Sequence, residues 1–509
     1  MKLTSQLLRQ AERHVYRLQR SGYEALRTSN LWKWNKIQRL LLRSYYARIL
    51  AIYRVTKVNT GKKTRGVDGI RINPKSTRQI RLVLKEIRQI VTRKKKWEHK
   101  PVKRIEIPKP DGRKRPLGIP TQFDRVMQAI VNNILFVVQE FQMTKNGLKS
   151  FGFRKGFKTA DAIKALTSYA WNGKQARVIE ADIEKCFEGI FHMKILETLE
   201  NYHCHTEIVD RVNGCLKAQI LYGEVFMESD KGTPQGGILS PTRANLILRE
   251  TRDKRFVEGL RKIKAKSGCQ LITYAEDLII RQNGNGNPEK RPKILEMTDN
   301  LIKEIGLNLK TEKTRIIDDK PFEFLGYESQ RGKGIRLKPD LIKRTRRKLK
   351  NSLKPGRRQD SVLKEINPLL RGIYNDAGYF SRGKMWKPCG KLYFEVTRRF
   401  FKLYGEYGTD EIVKYTDCNK VVNYIPPSEP TLLPNIDYWK ARNLKGFPTR
   451  KRFLWKRQQG ICGHCKGSLG YEPSTLQTHH ILEKGKGGKD KNSHVILVHK
   501  GCHEAIHNL

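Results

Sequence analysis

The run Leu271-Ile-Thr-Tyr-Ala-Glu-Asp-Leu-Ile-Ile280 sets two acids, Glu276 and Asp277, between two short apolar stretches. Apolar stretches of that length read as strands, and the acids mark the turn that joins them into a hairpin. Adjacent carboxylates at a hairpin tip repel one another unless a cation sits among them. A hard ion such as Mg²⁺ takes carboxylate oxygens together with substrate phosphates, and a pair of such ions can clamp both oxygens of an in-line phosphoryl transfer. A solvated turn explains the tetrapeptide equally well when it is taken alone. A second acidic segment weighs against that. In Ala176-Arg-Val-Ile-Glu-Ala-Asp-Ile183, strand alternation puts Val178, Glu180 and Asp182 on one face and Ile179, Ala181 and Ile183 on the other. Two carboxylates on one face of an apolar strand make sense if that face lines a metal site shared with the 276–277 hairpin.

Metal-ligating residue types gather a second time near the end of the chain. Cys462, Cys465 and Cys502 lie in the last 48 residues beside seven of the twelve histidines. Cys462-Gly-His-Cys465 and His499-Lys-Gly-Cys502 share one spacing, and a tetrahedral Zn²⁺ held by Cys462, Cys465, His499 and Cys502 accounts for both. His503 and His507, four residues apart, would project from one helical face toward a common metal. The other cysteines, Cys186, Cys204, Cys215, Cys269, Cys389 and Cys418, are scattered singly, which argues for a reducing, cytosolic setting and against a disulfide framework. His203-Cys204-His205 has no paired spacing and reads as structural.

These groups need elements to hold them, and the chain is long enough for three or four domains at 509 residues. Lys and Arg total 103 against 50 acids, a formal charge of +53 spread along the whole length. Such an excess predicts salt-sensitive attraction to a polyanion, with nucleic acid the default partner. No membrane partner is expected, because the sequence shows no apolar run of transmembrane length, signal peptide or lipidation motif. With 38% hydrophobic residues the composition is that of folded domains rather than a disordered arm.

Residues 1–60 read as basic amphipathic helix, with Leu31, Trp34, Ile37, Leu40, Leu41, Tyr45 and Ile49 as its apolar stripe. Residues 102–120 form a hairpin around Pro110-Asp111-Gly112, followed by a helix whose core face carries Phe123, Val126, Met127, Ile130, Val131 and Ile134. Ser150-Phe-Gly-Phe-Arg-Lys-Gly156 mixes aromatics with cations and suits either ordinary turn chemistry or approach to a nucleic-acid backbone. Lys231-Gly-Thr-Pro-Gln-Gly-Gly-Ile-Leu-Ser-Pro241 leads into a helix through Arg255, with Ser240 as N-cap and Pro241 in its first turn. It is not a Walker loop, which disfavours an ordinary P-loop ATPase. From 331 to 360 there are 13 Lys/Arg against two acids, with Leu341, Ile342, Leu349 and Leu353 giving helical periodicity. A helix over 362–374 and a proline-rich linker over 420–450 complete the pattern.

In this order the segments resemble the reverse transcriptases of group II introns, the intron-encoded maturases. The carrying motifs are Arg115-Pro-Leu-Gly-Ile-Pro120 with Asp124-Arg125, Ser150-Phe-Gly-Phe-Arg154, Ala181-Asp182, Gly232-Thr-Pro-Gln-Gly-Gly237, Tyr274-Ala-Glu-Asp277, Gly306-Leu-Asn-Leu309 with Lys313-Thr314, and Phe322-Glu-Phe-Leu-Gly-Tyr327. The resemblance implies an α+β multidomain chain. Its parts would be an N-terminal basic helical extension (1–60), right-hand fingers and palm (61–330), an α-helical thumb or maturase domain (331–419), a DNA-binding linker region (420–455) and a small zinc-binding ββα-metal domain (456–509). It also implies that Asp182, Glu276 and Asp277 are catalytic, with Asp182 and Asp277 binding Mg²⁺. Phe187 would wall off a ribose 2′-OH, and Gln235, Arg115 and Lys313 would serve the incoming dNTP. Arg344, Arg346, Arg347, Lys348 and Lys350 would grip the cognate intron RNA. The family's hairpin is usually Tyr-Ala-Asp-Asp, and Glu276 adds a methylene where Mg²⁺ demands near-ideal geometry, so slower DNA synthesis is expected. Glu188 likewise stands where Asp is common, with a milder expected effect.

The last 50 or so residues resemble the HNH nucleases. That match implies a divalent metal on His479, His503 and His507, with His480 as general base on the attacking water. His494 takes the place of the motif's middle Asn. The implied partners are intron RNA, target DNA and dNTPs, in the cytoplasm and on the nucleoid. A zinc knuckle that only binds DNA, and a non-catalytic RNA-binding splicing cofactor with a vestigial palm, remain the alternatives.

Overall fold

The computed structural model describes residues 3–108, 112, 114–145, 149–154, 157–167, 177–228, 230–232, 236–262, 269–282, 289–317, 321–330, 334–378, 386–405, 412, 447–458, 460–465, 469, 475–481 and 492–507. Gln235, the 110–111 hairpin tip and most of the expected 420–455 linker lie outside these residues. The described chain forms two compact units, one ending before residue 318 and the other starting at 321.

The first unit opens with helices α1 (Ser5–Arg27), α2 (Leu31–Arg43) and α3 (Tyr45–Tyr53). The single stripe expected over 31–49 is interrupted. Ser44 caps a new helix, its Oγ accepting from the Ala47 N–H at 3.2 Å. The helical phase restarts there, so Trp34, Ile37, Leu41 and Ile49 are buried while Leu31, Leu40 and Tyr45 face solvent. The Trp34 indole N–H donates to the Tyr202 carbonyl and Gln38 donates to that of His203, which ties α2 to the 202–203 segment. After α4 (Thr77–Val91) come strands β1 (Val102–Pro108) and β2 (Lys114–Ile119), paired antiparallel as the hairpin pattern predicts. Helix α5 (Gln122–Lys145) buries Val126, Met127, Ile130, Val131 and Ile134 completely.

Next follow β3 (Lys149–Ser150), α6 (Thr159–Thr167), β4 (Arg177–Asp182), α7 (Cys186–Gly189), α8 (His192–Asn201) and α9 (Thr206–Leu216). His203-Cys204-His205 joins α8 to α9, with His205 Nδ1 accepting from the Glu207 N–H and Cys204 buried, so this triplet is structural. Strands β5 (Ile220–Tyr222) and β6 (Val225–Met227) extend the first sheet to the order β2-β1-β5-β6. Helix α10 (Ser240–Ile247) begins one residue earlier than expected. Its cap is Leu239, and Ser240 Oγ instead accepts from Arg243 Nη2 at 3.3 Å inside the first turn. A π-helical stretch, Leu248–Lys254, then leads into α11 (Arg255–Lys262), so the helix runs past Arg255. Strands β7 (Cys269–Tyr274) and β8 (Asp277–Gln282), helix α12 (Lys290–Lys303) and β9 (Arg315–Ile317) complete a five-stranded sheet of order β3-β7-β8-β4-β9.

The second unit opens with β10 (Glu323–Phe324), β11 (Tyr327–Gln330) and β12 (Gly334–Leu337), a small sheet that straddles the 330/331 boundary drawn from sequence. Helices α13 (Pro339–Ser352), α14 (Gln359–Gly378) and α15 (Trp386–Tyr404) bury Leu349, Leu353, Val362, Ile366, Leu370, Ile373 and Phe400. A C-terminal module follows: α16 (Thr449–Arg457), the antiparallel pair β13 (Leu476–His480) and β14 (Val495–His499), and α17 (Lys500–His507). It closes over Phe447, Leu454, Trp455, Leu476, Val495, Leu497 and Val498. Among the described residues no helix is long and apolar enough to cross a membrane.

Candidate functional site

Strand alternation delivers the carboxylates of the five-stranded sheet. Along β4, Val178, Ile179 and Ala181 are buried while Glu180 and Asp182 stay partly open. Asp277 starts β8 and pairs in register with Asp182 across the β4–β8 ladder and with Tyr274 across β7–β8. The turn between β7 and β8 is therefore two residues, Ala275-Glu276, with Ala275 at φ +57°. A positive φ at the first loop position matches the twist of tight hairpins and is normally reserved for glycine.

The charges here are unbalanced. Burial, then the neighbouring charges of Asp182 and Glu276, push the Asp277 carboxyl up to about 6. Among the described residues the close counter-charge is Lys313, whose Nζ lies 2.7 Å from Asp182 Oδ2. That bond, with the nearby acids, holds the ammonium above its usual range. Glu180 is neutralised separately by Arg315 at 2.9 Å. Paired carboxylates with one titrating high suit a divalent cation, which would be held by Asp182 and Asp277.

A pH dependence follows with a definite sign. Below about 6 Asp277 carries a proton that a metal must displace. Apparent Mn²⁺ or Mg²⁺ affinity at the palm should rise by about tenfold per pH unit between pH 4 and 6 and level off above it. Calorimetric titration of the protein with Mn²⁺ across that range checks this, and Asp277→Asn should flatten the profile.

Phe187 lies buried in α7 beside the carboxylate-bearing end of β4, its ring 6.0 Å edge-on from Phe153 of the 150–154 loop. Arg154 of that loop is not available to a nucleic acid. It forms an ion pair with Glu140 at 2.6 Å and lies over the Phe157 ring at 4.1 Å. Asp124 and Arg125 are also structural. Asp124 accepts from the Trp97 indole at 2.9 Å and the Thr121 hydroxyl at 2.6 Å, and Arg125 donates to the carbonyls of Pro120, Gly61 and Thr64. Arg115 is exposed on β2. On α13, Arg344, Arg347, Lys348 and Lys350 are exposed, whereas Arg346 is engaged with Glu395 of α15 at 2.7 Å.

In the C-terminal module the register fixes both clusters. Leu476 pairs with His499 and His480 with Val495, so His499 and His479 sit near opposite ends of one two-stranded ladder. The ligand atoms of Cys462, Cys465, His499 and Cys502 all lie within 4.8 Å of one another, and so do those of His479, His503 and His507. Burial raises the Cys462 thiol, but backbone N–H groups of His499, His464 and Cys465 pull harder and bring it down to about 7. Thiolate character and a closed four-ligand shell suit zinc. In the imidazole cluster, His479 Nδ1 is buried with no hydrogen-bond partner, the mark of a nitrogen shaped for a metal. Burial, then the neighbouring His503 and His507, lowers its basicity and keeps it in the neutral form that ligates. His480, next along the strand, points to the other face. The His494 carbonyl accepts from the Ile481 N–H at 2.9 Å, which brings its backbone beside the end of β13.

Sequence reasoning missed Arg252 and Gly152. Arg252 is buried and donates to the Ala275 carbonyl at 3.0 Å, and Gly152 packs against the same turn. The available signal was Arg252-Asp253, adjacent opposite charges within the charged run Arg249-Glu-Thr-Arg-Asp-Lys-Arg255.

Residues 107–329 match the family Reverse transcriptase (RNA-dependent DNA polymerase), and residues 7–85 match the N-terminal domain of reverse transcriptase. Group II intron-encoded protein LtrA of Lactococcus lactis subsp. cremoris is 29% identical over 245 residues, covering 47% of this chain and 38% of that protein. The putative COX1/OXI3 intron 1 protein of Saccharomyces cerevisiae is 26% identical over 279 residues, covering 46% of this chain and 33% of its own length. The chain thus spans between a third and two-fifths of these relatives. Telomerase from Candida tropicalis in complex with a TWJ fragment of telomeric RNA superposes with a TM-score of 0.42 at 12% identity, over 66% of this chain and 64% of that one. The chain carries a reverse transcriptase domain, and Asp182, Phe187, Glu276, Asp277 and Lys313 all fall inside it.

Proposed function

We propose that this is a group II intron-encoded protein that binds its own intron RNA and promotes splicing. It then carries that RNA to DNA, where the C-terminal module nicks one strand and the palm copies the RNA from the nicked end. The observation that carries the polymerase step is the register pairing of Asp182 with Asp277 beneath a two-residue acidic turn. When bound, Mg²⁺ would supply charge neutralisation at the attacking and leaving oxygens. The protein's own share is to hold the carboxylates, to wall the sugar with Phe187, and to keep Lys313 within reach of the phosphates. Nicking rests on the three-imidazole cluster beside His480, whose imidazole is suited by type to take a proton from water. Primer extension on an RNA template, run beside splicing of the cognate intron, tests the whole reading.

RNA grip is assigned to the exposed cations of α13. Neutralising Arg344, Arg347 and Lys348 together should weaken RNA binding and flatten its salt slope by roughly three units, since each lost phosphate contact removes about one released counterion. Filter binding across a salt series checks this, and an unchanged slope moves the RNA site elsewhere. Arg346 belongs in a separate variant, because its partner Glu395 makes part of its effect structural.

A further inference from the structure

The catalytic turn is clamped from two sides, and the clamp fixes a backbone conformation that its own sequence disfavours. Ala275 holds φ +57°, a left-handed value that costs an L-residue other than glycine about 1 kcal/mol or more. On one side lies Arg252, in the π-helical stretch Leu248–Lys254. Its guanidinium is 1% exposed, donates Nε to Asp253 Oδ1 at 2.5 Å, and donates Nη1 to the Ala275 carbonyl at 3.0 Å. π-Helical stretches re-aim side chains and gather at functional sites. On the other side lies Gly152. A Cβ there would stand 2.3 Å from the Ala275 nitrogen and 2.9 Å from the Tyr274 carbonyl carbon, so only glycine permits this backbone approach. Asn245 Nδ2 donates to the Gly152 carbonyl at 2.9 Å, and the Phe151 N–H donates to the Thr273 carbonyl at 2.9 Å, which locks the loop onto β7.

We propose that Arg252 and Gly152 are positioning residues for DNA synthesis, holding Ala275 in its left-handed conformation and thereby fixing the height at which Glu276 and Asp277 are presented. Their effect passes through the two peptide groups that flank the Ala275 Cα, and this inference rests on the polymerase reading of the palm. A two-residue turn set wrongly by an ångström misplaces both acids together, a displacement that costs on the order of a hundredfold in rate.

The test separates positioning from burial. Arg252→Met with Asp253→Asn removes the donor to Ala275 and neutralises the buried pair at the same time, so no lone charge is left inside. That variant should lose on the order of tenfold to a hundredfold in kcat for DNA synthesis, with KM for dNTP changed by less than about twofold. Adding Ala275→Gly should recover most of the loss, because glycine adopts the left-handed conformation without a clamp. A purely structural role for Arg252 would not respond to that third change. Failure of Ala275→Gly to restore kcat, or an undiminished kcat in the double variant, overturns the proposal. If the double variant does not fold by thermal melting, Gly152→Ala decides, with reduced kcat at unchanged template affinity expected and unchanged kcat contradicting the clamp. If the unaltered protein makes no DNA, the polymerase reading fails. Hydrogen exchange then judges the clamp: faster exchange confined to 274–278 in the Arg252 variant supports it, and equal protection overturns it.

Discussion

Cys462→Ser is expected to unfold the module formed by residues 447–507 and to abolish DNA nicking, while intron splicing survives. Cys462 is wholly buried at the junction of the module's small core and its four-ligand cluster. A core of that size supplies little stability alone, whereas structural zinc contributes roughly 10–16 kcal/mol of apparent binding free energy at neutral pH. Losing one thiolate opens the shell and leaves His499 and Cys502, on adjacent ends of β14 and α17, without a common ligand. Zinc content by mass spectrometry under native conditions, with hydrogen exchange over 447–507, measures the loss. His480→Ala should behave differently. It should keep zinc, fold and DNA affinity, and lose nicking by roughly a hundredfold to ten-thousandfold, the range of a removed general base. Loss of splicing in the His480 variant would contradict the modular arrangement.

Glu276→Asp is expected to raise DNA synthesis on an RNA template by on the order of tenfold or more. The added methylene extends the carboxylate by roughly 1.5 Å, whereas Mg²⁺ takes oxygens at about 2.0–2.1 Å in near-ideal octahedral geometry. The clusters whose ligand atoms all approach within 4.8 Å, among the described residues, are the two in the C-terminal module, and the palm acids do not form a third. Shortening residue 276 removes the extra reach with no change in charge. Single-turnover rates with saturating dNTP measure the gain. Equal and already fast synthesis by both proteins would mean that the palm accommodates the longer acid, and that Glu276 sets no limit.

The sequence revealed most where a period or a spacing carried the information. Period-2 alternation located Asp182 on the open face of β4, and two acids between apolar runs located the β7–β8 turn. The matched spacings at 462–465 and 499–502 located the sulfur-rich cluster. What escaped was set by partners distant in the chain. Lys313 meets Asp182 across 131 residues, and Arg154 is taken up by Glu140. Ser44 and Ser240 show the same limit at helix ends. Either serine fits a cap by type, yet only Ser44 caps, because a buried arginine claims the hydroxyl of Ser240. The left-handed Ala275 left no trace in its own residue type, since the glycine that makes room for it lies at 152, in another loop.

The most direct measurement is extension of a DNA primer annealed to an RNA template by the purified protein in Mg²⁺, comparing the unaltered chain with Asp182→Ala. Synthesis that vanishes in Asp182→Ala, with melting temperature and intron RNA affinity retained, is the predicted result. Undiminished synthesis in Asp182→Ala would contradict the assignment of the palm carboxylates. Stimulated splicing with no synthesis from the unaltered chain or from Glu276→Asp would instead make the protein a splicing cofactor.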